Sequence, residues 1–332
     1  MGRGVLILGW HNVTSTPYFA SSGSVATDGF TSQMRLLKLT TTPISLTEAV
    51  VRLADGRALP PRATVVTFDD GYRDNLQVAA PILAELHIPA TFFLVPKYLS
   101  SREPPWWERL AWAVRARRRT GPAVWRDVPV AASGADPDAT LDLLTEHLKS
   151  LDEDSRQRSV QELIELFEPA GDEPASPMMD WEEARQLARM GFAIGSHSCR
   201  HSILSNEPAA IQLEDLREAR TLLAEGIGTC VDLLAYPNGG PADFGPGTVE
   251  SARRAGYRAA VTTIDGWNDR ETDPFALRRF LMYPEWGPAG FGVLARHVAR
   301  IARRRIGAGL SDGGRPEQTR RASADQSSSA PG

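Results

Sequence analysis

The sequence has little cysteine, no long hydrophobic run and no excess of positive charge. Of its 332 residues only two are cysteines, Cys199 and Cys230, which excludes a disulfide framework and a four-cysteine zinc site. No apolar run approaches the roughly 18 to 20 residues that a membrane-spanning helix needs. The formal net charge of −4 argues against nucleic acid as the main partner. With 42% hydrophobic residues, the composition is that of a globular protein with a large core.

The two ends of the chain differ in composition from the part between them. The N-terminal apolar run, residues 5–8, is far too short for a signal peptide, and we therefore expect a cytoplasmic protein. Residues 291–306 combine apolar residues at helical spacing with arginines, which predicts a basic amphipathic helix. Such a helix either covers the domain or rests on an anionic membrane surface. Residues 307–332 have almost no large apolar side chains and are expected to be a disordered tail.

Short apolar runs alternate with helical patterns along most of the chain. Most of these runs are apolar throughout, which is typical of parallel strands covered on both faces. Seven candidate strands follow from them: residues 5–10, 64–69, 91–95, 192–196, 232–236, 258–263 and 277–283. The pattern predicts the α/β class, either as a barrel or as an open parallel sheet.

Between about residues 100 and 178 this alternation stops. Helical patterns over 106–118, 139–151 and 155–167 replace it, and they predict a helical insertion. After the insertion, Asp180 followed three residues later by Glu183 predicts a capping box at the start of a helix over 181–190.

Two adjacent carboxylates, Asp69 and Asp70, stand at the end of a predicted strand in the segment 67–71 (TFDDG). Strand ends are where α/β proteins place their chemistry. Neighbouring side chains on an extended chain point in different directions, so one carboxylate can bind a metal while the other addresses a water. The alternative is an Asp-Asp-Gly turn that caps the next helix.

A pair of histidines, His197 and His201, follows another predicted strand end in the segment 197–201 (HSCRH). The chain has only six histidines, so this is a concentration of them. Four residues apart, the two imidazoles would lie on one face of a helical turn and reach the same metal ion, although a surface turn is the alternative. With Asp70 they would supply two nitrogens and one oxygen, a ligand set known from catalytic zinc sites.

The segments 67–71 and 197–201 resemble the first two motifs of the polysaccharide deacetylases, the NodB-homology group within carbohydrate esterase family 4. The resemblance extends over about residues 4–285. It includes residues 9–13 (GWHNV), which are similar to a Tyr-His segment that opens one branch of the family. It implies a distorted (β/α)7 TIM-like barrel, with a catalytic domain over residues 1–290 that contains the helical insertion at 100–178.

The resemblance also implies roles for the residues of these motifs. Asp69 would be the general base that takes a proton from the attacking water. The metal ligands would be Asp70, His197 and His201. The cofactor implied is a divalent metal, with zinc as the chemical default and cobalt, nickel or manganese as alternatives.

A general acid and an oxyanion site are also expected from the family pattern. His11, at the end of the first strand, matches the histidine that is thought to be the acid in the Tyr-His branch. The alternative is His297, in the predicted C-terminal helix. Backbone N–H groups near Asn238 and Gly239 are candidates for holding the oxyanion.

The sequence departs from the family at the arginine that usually orients the base. Ala235 stands in its place, and Arg200 or Arg278 is a candidate replacement. The neighbouring tryptophans 106 and 107 fit helix packing on the barrel, with a sugar-stacking surface as the second interpretation.

These residues predict a metal-dependent hydrolase that removes an acetyl group from an N-acetylated sugar of a polysaccharide, glycolipid or glycan precursor. One alternative is a sugar O-deacetylase. The other is a glycan-binding protein of the same fold without catalytic activity, which the missing arginine favours and the intact set of acids and histidines disfavours.

Overall fold

A curled sheet of parallel strands, surrounded by helices, forms the body of the protein. The computed structural model describes residues 4–14, 24–101, 103–118, 123–126, 128–130 and 136–282. The basic helix expected over 291–306, with His297, and the tail expected over 307–332 lie outside the described residues.

The strands within the described residues are β1 (Leu6–Trp10), β2 (Asn12–Val13), β3 (Ser24–Val25), β4 (Thr42–Pro43), β5 (Ala63–Phe68), β6 (Ala90–Leu94), β7 (Ala123–Trp125), β8 (Val128–Val130), β9 (Ala193–Ser196), β10 (Leu233–Ala235), β11 (Ala259–Val261) and β12 (Phe280–Leu281). Eight of them form one sheet in the order β11-β10-β9-β6-β5-β1-β12, with β4 paired to the start of β5. Every pairing in this sheet is parallel.

The two ends of the sheet are linked by the segment between β11 and β12. Leu277 forms a parallel bridge with Val261 at the end of β11, and β12 follows shortly and pairs with β1. The sheet is therefore a distorted barrel rather than an open sheet. Its strands β1, β5 and β6 are buried at every position, because helices cover the outside of the sheet and side chains fill the inside.

The helices are α1 (Thr27–Thr40), α2 (Leu46–Ala54), α3 (Ala80–Glu85), α4 (Pro96–Ser100), α5 (Trp106–Arg115), α6 (Pro137–Lys149), α7 (Glu153–Phe167), α8 (Trp181–Arg189), α9 (Ala209–Ile227) and α10 (Pro246–Arg254). A π-helical turn over Asn75–Ala79 precedes α3, and a short 3-10 helix over Leu204–Asn206 precedes α9. Within the described part of the chain, no helix is long and apolar enough to cross a membrane.

The strands and helices predicted within the described residues are present. All seven strands expected from the apolar runs belong to the barrel sheet. The expected capping box starts α8: Glu183 N–H donates to Asp180 Oδ1 at 2.9 Å, and Asp180 N–H donates to Glu183 Oε2 at 3.0 Å. The short strand β4 was not predicted, since its two residues form no hydrophobic run.

The helical insertion has its own hydrophobic core. Helices α5, α6 and α7 form where the periodicity predicts them, and they share a buried cluster that includes Leu110, Leu144 and Leu163. The antiparallel pair β7–β8 also contributes to this cluster and was not expected from the sequence. The insertion is thus a small packed layer rather than a set of separate helices.

A buried arginine on α7 ties this layer together. Arg156 is fully buried and donates to the backbone oxygens of Leu148 (3.1 Å) and Leu151 (2.8 Å), which cap the end of α6 and the following turn. Its remaining nitrogen contacts Glu153 Oε2 at 2.7 Å. Lys97 on α4 lies 3.6 Å from the other oxygen of Glu153, so the same carboxylate links the insertion to the barrel.

Replacing Arg156 by Met should lower the free energy of unfolding by about 3–5 kcal/mol, because it leaves Glu153 buried without its main counter-charge. Urea unfolding followed by tryptophan fluorescence measures the change. Arg158→Met, on the exposed side of the same helix, is the matched control and should cost less than about 0.5 kcal/mol. Equal unfolding midpoints for the two variants would contradict the structural role of Arg156.

Candidate active site

The candidate catalytic residues lie together at the carboxyl ends of neighbouring barrel strands. Asp69 and Asp70 follow β5 directly, His197 follows β9, and His11 follows β1. These strands are close in the sheet order, so residues far apart in sequence meet at one rim. The sequence expectation that they would converge agrees with this arrangement.

Asp70, His197 and His201 form a buried cluster suited to one metal ion. Asp70 Oδ1 lies 3.4 Å from His197 Nε2 and 3.3 Å from His201 Nε2. The potential ligand atoms of all three residues lie within 4.8 Å of one another. No described residue donates a well-aligned hydrogen bond to Asp70 Oδ1, so this buried oxygen can bind a cation. Two nitrogens and one carboxylate oxygen would leave further positions open for water and substrate.

The protonation of Asp70 and His201 fits a ligand set, whereas the charges of Asp69 and Asp70 outweigh the effect of burial and raise the pKa of His197. Burial raises the pKa of Asp70, but the imidazoles of His197 and His201 hold it well below its usual value. Burial lowers the pKa of His201 to about 4, so this imidazole is neutral at neutral pH. His197 Nδ1 contacts the backbone oxygen of Ala235 at 2.8 Å, which requires a proton on Nδ1 and leaves Nε2 for the metal.

The two histidines do not lie on a helical turn, as the sequence argument expected. Residues 197–201 form a loop in which Ser198 and His201 adopt left-handed backbone conformations (φ 61° and 58°). The loop starts from β9, where His197 N–H donates to Leu94 O at 2.9 Å. Cys199, between the histidines, is buried outside the metal cluster. Burial raises the pKa of its thiol, so the thiol stays protonated.

Asp69 is held by an arginine that the sequence argument missed. Arg279 Nη1 and Nη2 donate to the two carboxylate oxygens of Asp69, both at 2.7 Å. The guanidinium is fully buried, and its Nε donates to Thr262 O at 2.8 Å. Burial raises the pKa of Asp69, but the charge of Arg279 holds it below the usual value. Asp69 is therefore ionised at neutral pH.

Neither replacement proposed for the family arginine takes that role. Arg200 pairs instead with Asp154 at 3.2 Å, and Arg278 is exposed. Ala235, in the usual arginine position, contributes its backbone oxygen to His197. The available signal for Arg279 was a charged residue within a predicted apolar strand, which a buried strand tolerates only when the charge is paired.

The structure separates the two oxyanion candidates. Asn238 lines the cavity that contains Asp69, Asp70 and the two histidines. Gly239 is not among the residues that line this cavity. Its N–H is already engaged, because it donates to Pro237 O at 2.7 Å. Its φ of 68° and the close approach of Thr263 explain the glycine as a conformational requirement. The expectation for Gly239 as an oxyanion donor is therefore not supported by its geometry.

The cavity has a volume of about 650 Å³ and joins a second cavity of about 670 Å³. His11, Trp107 and Asn238 line both. The wall opposite the strand ends comes from the insertion, namely from α5 and from the face of α6 that carries Asp138, Leu141, Asp142, Thr145, Glu146 and Lys149. The cavity is therefore lined by the barrel on one side and by the insertion on the other.

The two adjacent tryptophans of α5 occupy different environments. Trp106 is buried and contacts the guanidinium of Arg156. Trp107 is partly exposed, and its ring centre lies 4.7 Å from that of His201. Its indole N–H donates to Tyr72 Oη at 2.7 Å, and that hydroxyl donates to Glu108 at 2.8 Å. The indole N–H of Trp106, in contrast, has no hydrogen-bond partner among the described residues.

Comparison with known proteins decides the family. The family described as polysaccharide deacetylase matches residues 56–260, which is more than half of the chain. The chain belongs to the polysaccharide deacetylase family. The protein named YxkH of Bacillus subtilis (strain 168), a polysaccharide deacetylase by name, is 21% identical over 232 residues, or 70% of this chain. This chain spans 56% of the length of that relative.

Solved structures of deacetylases share the fold. The deacetylase PplD of Streptococcus pyogenes matches with a TM-score of 0.59 and 16% identity, over 87% of this chain and 96% of that one. IcaB from Ammonifex degensii matches with a TM-score of 0.58 and 19% identity, over 88% and 97%. The expected family and its distorted barrel are both confirmed.

Removing the guanidinium of Arg279 should make stability depend on pH in a defined direction. In the wild type, the lowered pKa of Asp69 contributes stability that is present at neutral pH and lost as the pH falls. In Arg279→Met, burial raises this pKa and only the weaker effects of His197 and His11 oppose it, so the variant loses stability as the pH rises. Its deficit should therefore grow from about pH 4 to about pH 7, reaching about 3–5 kcal/mol.

Urea unfolding at several pH values tests this expectation. Arg278→Met removes the same charge from the neighbouring exposed position and is the control. A deficit for Arg279→Met that does not change with pH would show that Arg279 does not set the ionisation of Asp69.

Proposed function

We propose that this chain is a divalent-metal-dependent deacetylase that releases acetate from an N-acetylated sugar of a polysaccharide, glycolipid or glycan precursor. The observation that carries the proposal is the buried set of Asp70, His197 and His201 beside a second ionised carboxylate, Asp69, in one cavity. A ligand set and a base at the same rim are the parts that metal-assisted hydrolysis needs.

Asp70, His197 and His201 would hold the metal, and their nitrogen and oxygen donors suit zinc, with cobalt, nickel or manganese as alternatives. When bound, such a cation acts as a Lewis acid, which lowers the pKa of a water and polarises the acetyl carbonyl.

The protein's own groups would move the protons. Asp69, kept ionised by Arg279, takes the proton of the attacking water. His11, on the same cavity wall, donates a proton to the nitrogen of the leaving amine. The backbone N–H of Asn238 is the candidate donor to the oxygen that becomes negative as the carbonyl is attacked.

The cavity suits a sugar. Volumes of this size are typical of sites for organic ligands of several rings. Trp107 offers a partly exposed aromatic face beside the metal ligands, and its fixed indole N–H restricts the ring to one orientation. We propose that a pyranose ring lies against this face, which places its acetamide near the rim of the barrel.

The alternative of a glycan-binding protein without activity rested on the missing family arginine. Arg279 supplies a guanidinium from the segment that enters β12, so the loss at Ala235 no longer favours a protein without activity. N-deacetylation and O-deacetylation require the same base and metal, and they differ in the substrate that releases acetate.

Calorimetric titration of metal-free protein with zinc should show one tight site. His201→Ala should lose it, because one of three protein ligands is removed. His147→Ala is the control, since this histidine packs against Trp125 in the insertion. Equal zinc binding by His201→Ala and the wild type would exclude the proposed metal site.

Asp69→Asn should retain zinc and lower acetate release by about 100-fold or more, as expected for removal of a general base. Acetate is measured with N-acetylated and O-acetylated sugar oligomers in parallel, which separates the two deacetylase types. Asp55→Asn, an exposed carboxylate, is the control. A wild type that binds the oligomers and zinc but releases no acetate from either would support the binding protein instead.

A further inference from the structure

A buried carboxylate lies directly behind the loop that carries both candidate metal histidines. Asp215 belongs to α9, is 4% exposed, and accepts the backbone N–H of Cys199 through Oδ1 at 2.8 Å. Cys199 is the central residue of the loop over 197–201. Of the four carboxylates on α9, Asp215 is the buried one, next to Leu216 on the face that packs against the protein.

The peptide groups of Cys199 are fixed from two sides. Its N–H donates to Asp215 on α9, and its carbonyl accepts the N–H of Lys97 on α4 at 3.1 Å. Together these contacts hold the middle of the loop between two helices. The histidines at its two ends therefore have a defined separation.

The loop requires such support because its backbone is strained. Ser198 and His201, on either side of Cys199, adopt left-handed conformations that L-residues with a side chain rarely occupy. Conformations of this kind cost about 1–3 kcal/mol each and persist where surrounding contacts fix them. Without an acceptor for the Cys199 N–H, the loop could relax and separate the two imidazoles.

Packing of α9 against the protein does not by itself explain why a carboxylate stands at position 215. Asp215 forms no close salt bridge with a described residue, although the charge and the backbone N–H of Arg200 favour its ionised form, and its Oδ2 has no well-aligned hydrogen-bond partner among the described residues. Burying such a group is unfavourable, and an apolar residue would pack on α9 without this cost. What Asp215 supplies is the acceptor oxygen for the strained loop.

We propose that Asp215 is a positioning residue of the metal site, which sets the separation of His197 and His201 through its hydrogen bond to the Cys199 N–H. The inference rests on the proposed metal-dependent function, and it assigns to α9 a part in metal affinity although no α9 side chain reaches the metal cluster.

Two substitutions separate the acceptor oxygen from the charge. Asp215→Leu removes the acceptor and should weaken zinc binding by about 10- to 100-fold, as loss of groups that orient metal ligands does elsewhere. Asp215→Asn keeps an acceptor oxygen and should bind zinc close to the wild-type affinity. Glu214→Gln, the neighbouring exposed carboxylate on α9, is the control for charge and should match the wild type.

The measurements are zinc affinity by calorimetry and the visible absorption spectrum of the cobalt-loaded proteins, which reports ligand geometry independently of activity. Asp215→Leu should have an altered cobalt spectrum, and Asp215→Asn the wild-type spectrum. Urea unfolding of the metal-free variants verifies that they fold, and Asp215→Ala replaces Asp215→Leu if the latter does not.

Three results would overturn the proposal. Wild-type zinc affinity and cobalt spectrum in the variants without an acceptor would show that the loop holds its geometry unaided. An equal loss in Asp215→Asn would assign the effect to charge rather than to the hydrogen bond. Failure of the folded wild type to bind zinc would refute the metal-dependent function itself, and His201→Ala distinguishes that outcome from the other two.

Discussion

The buried pair of Arg279 and Asp69 is the interaction on which the site depends. It places two full charges inside the barrel, where neither would be tolerated alone. The guanidinium also contacts Thr262 and Thr67, so it joins the linking segment after β11 to the carboxyl end of β5. The same contacts that hold the barrel together at this point therefore keep Asp69 ionised at the rim.

Arg279 binds Asp69 although the usual motif position for this arginine, residue 235, is an alanine. A guanidinium within hydrogen-bond distance stabilises a buried ionised carboxylate, whichever part of the chain supplies it. Ala235 ends β10 at the usual place, and Arg279 approaches the same carboxylate from the segment that enters β12. Either position can reach Asp69, because the barrel brings several strand ends to one point.

The sequence predicted the features that depend on local pattern. Continuous apolar runs predicted seven strands of the barrel sheet, and paired polar residues at their ends predicted Asp69, Asp70, His197 and His201 as candidate site residues. It did not predict β2, β3, β4, β7 or β8, because these short strands lie outside the apolar runs from which strands were predicted. The Arg279–Asp69 contact spans 210 residues, and the engaged N–H of Gly239 depends on a turn, so neither follows from spacing alone.

The candidate catalytic residues and the cavity wall that faces them belong to two packed layers. The acids and histidines lie in loops that directly follow barrel strands, and hydrogen bonds to neighbouring strands on both sides fix the geometry of those strands. The facing wall belongs to α5 and α6, which pack in a separate core and meet the barrel partly through Glu153 and Lys97. Changes on the exposed face of α6 therefore alter the cavity without disturbing the strands that hold the catalytic groups. For this reason we expect the substrate preference to be encoded in the insertion and the reaction in the barrel.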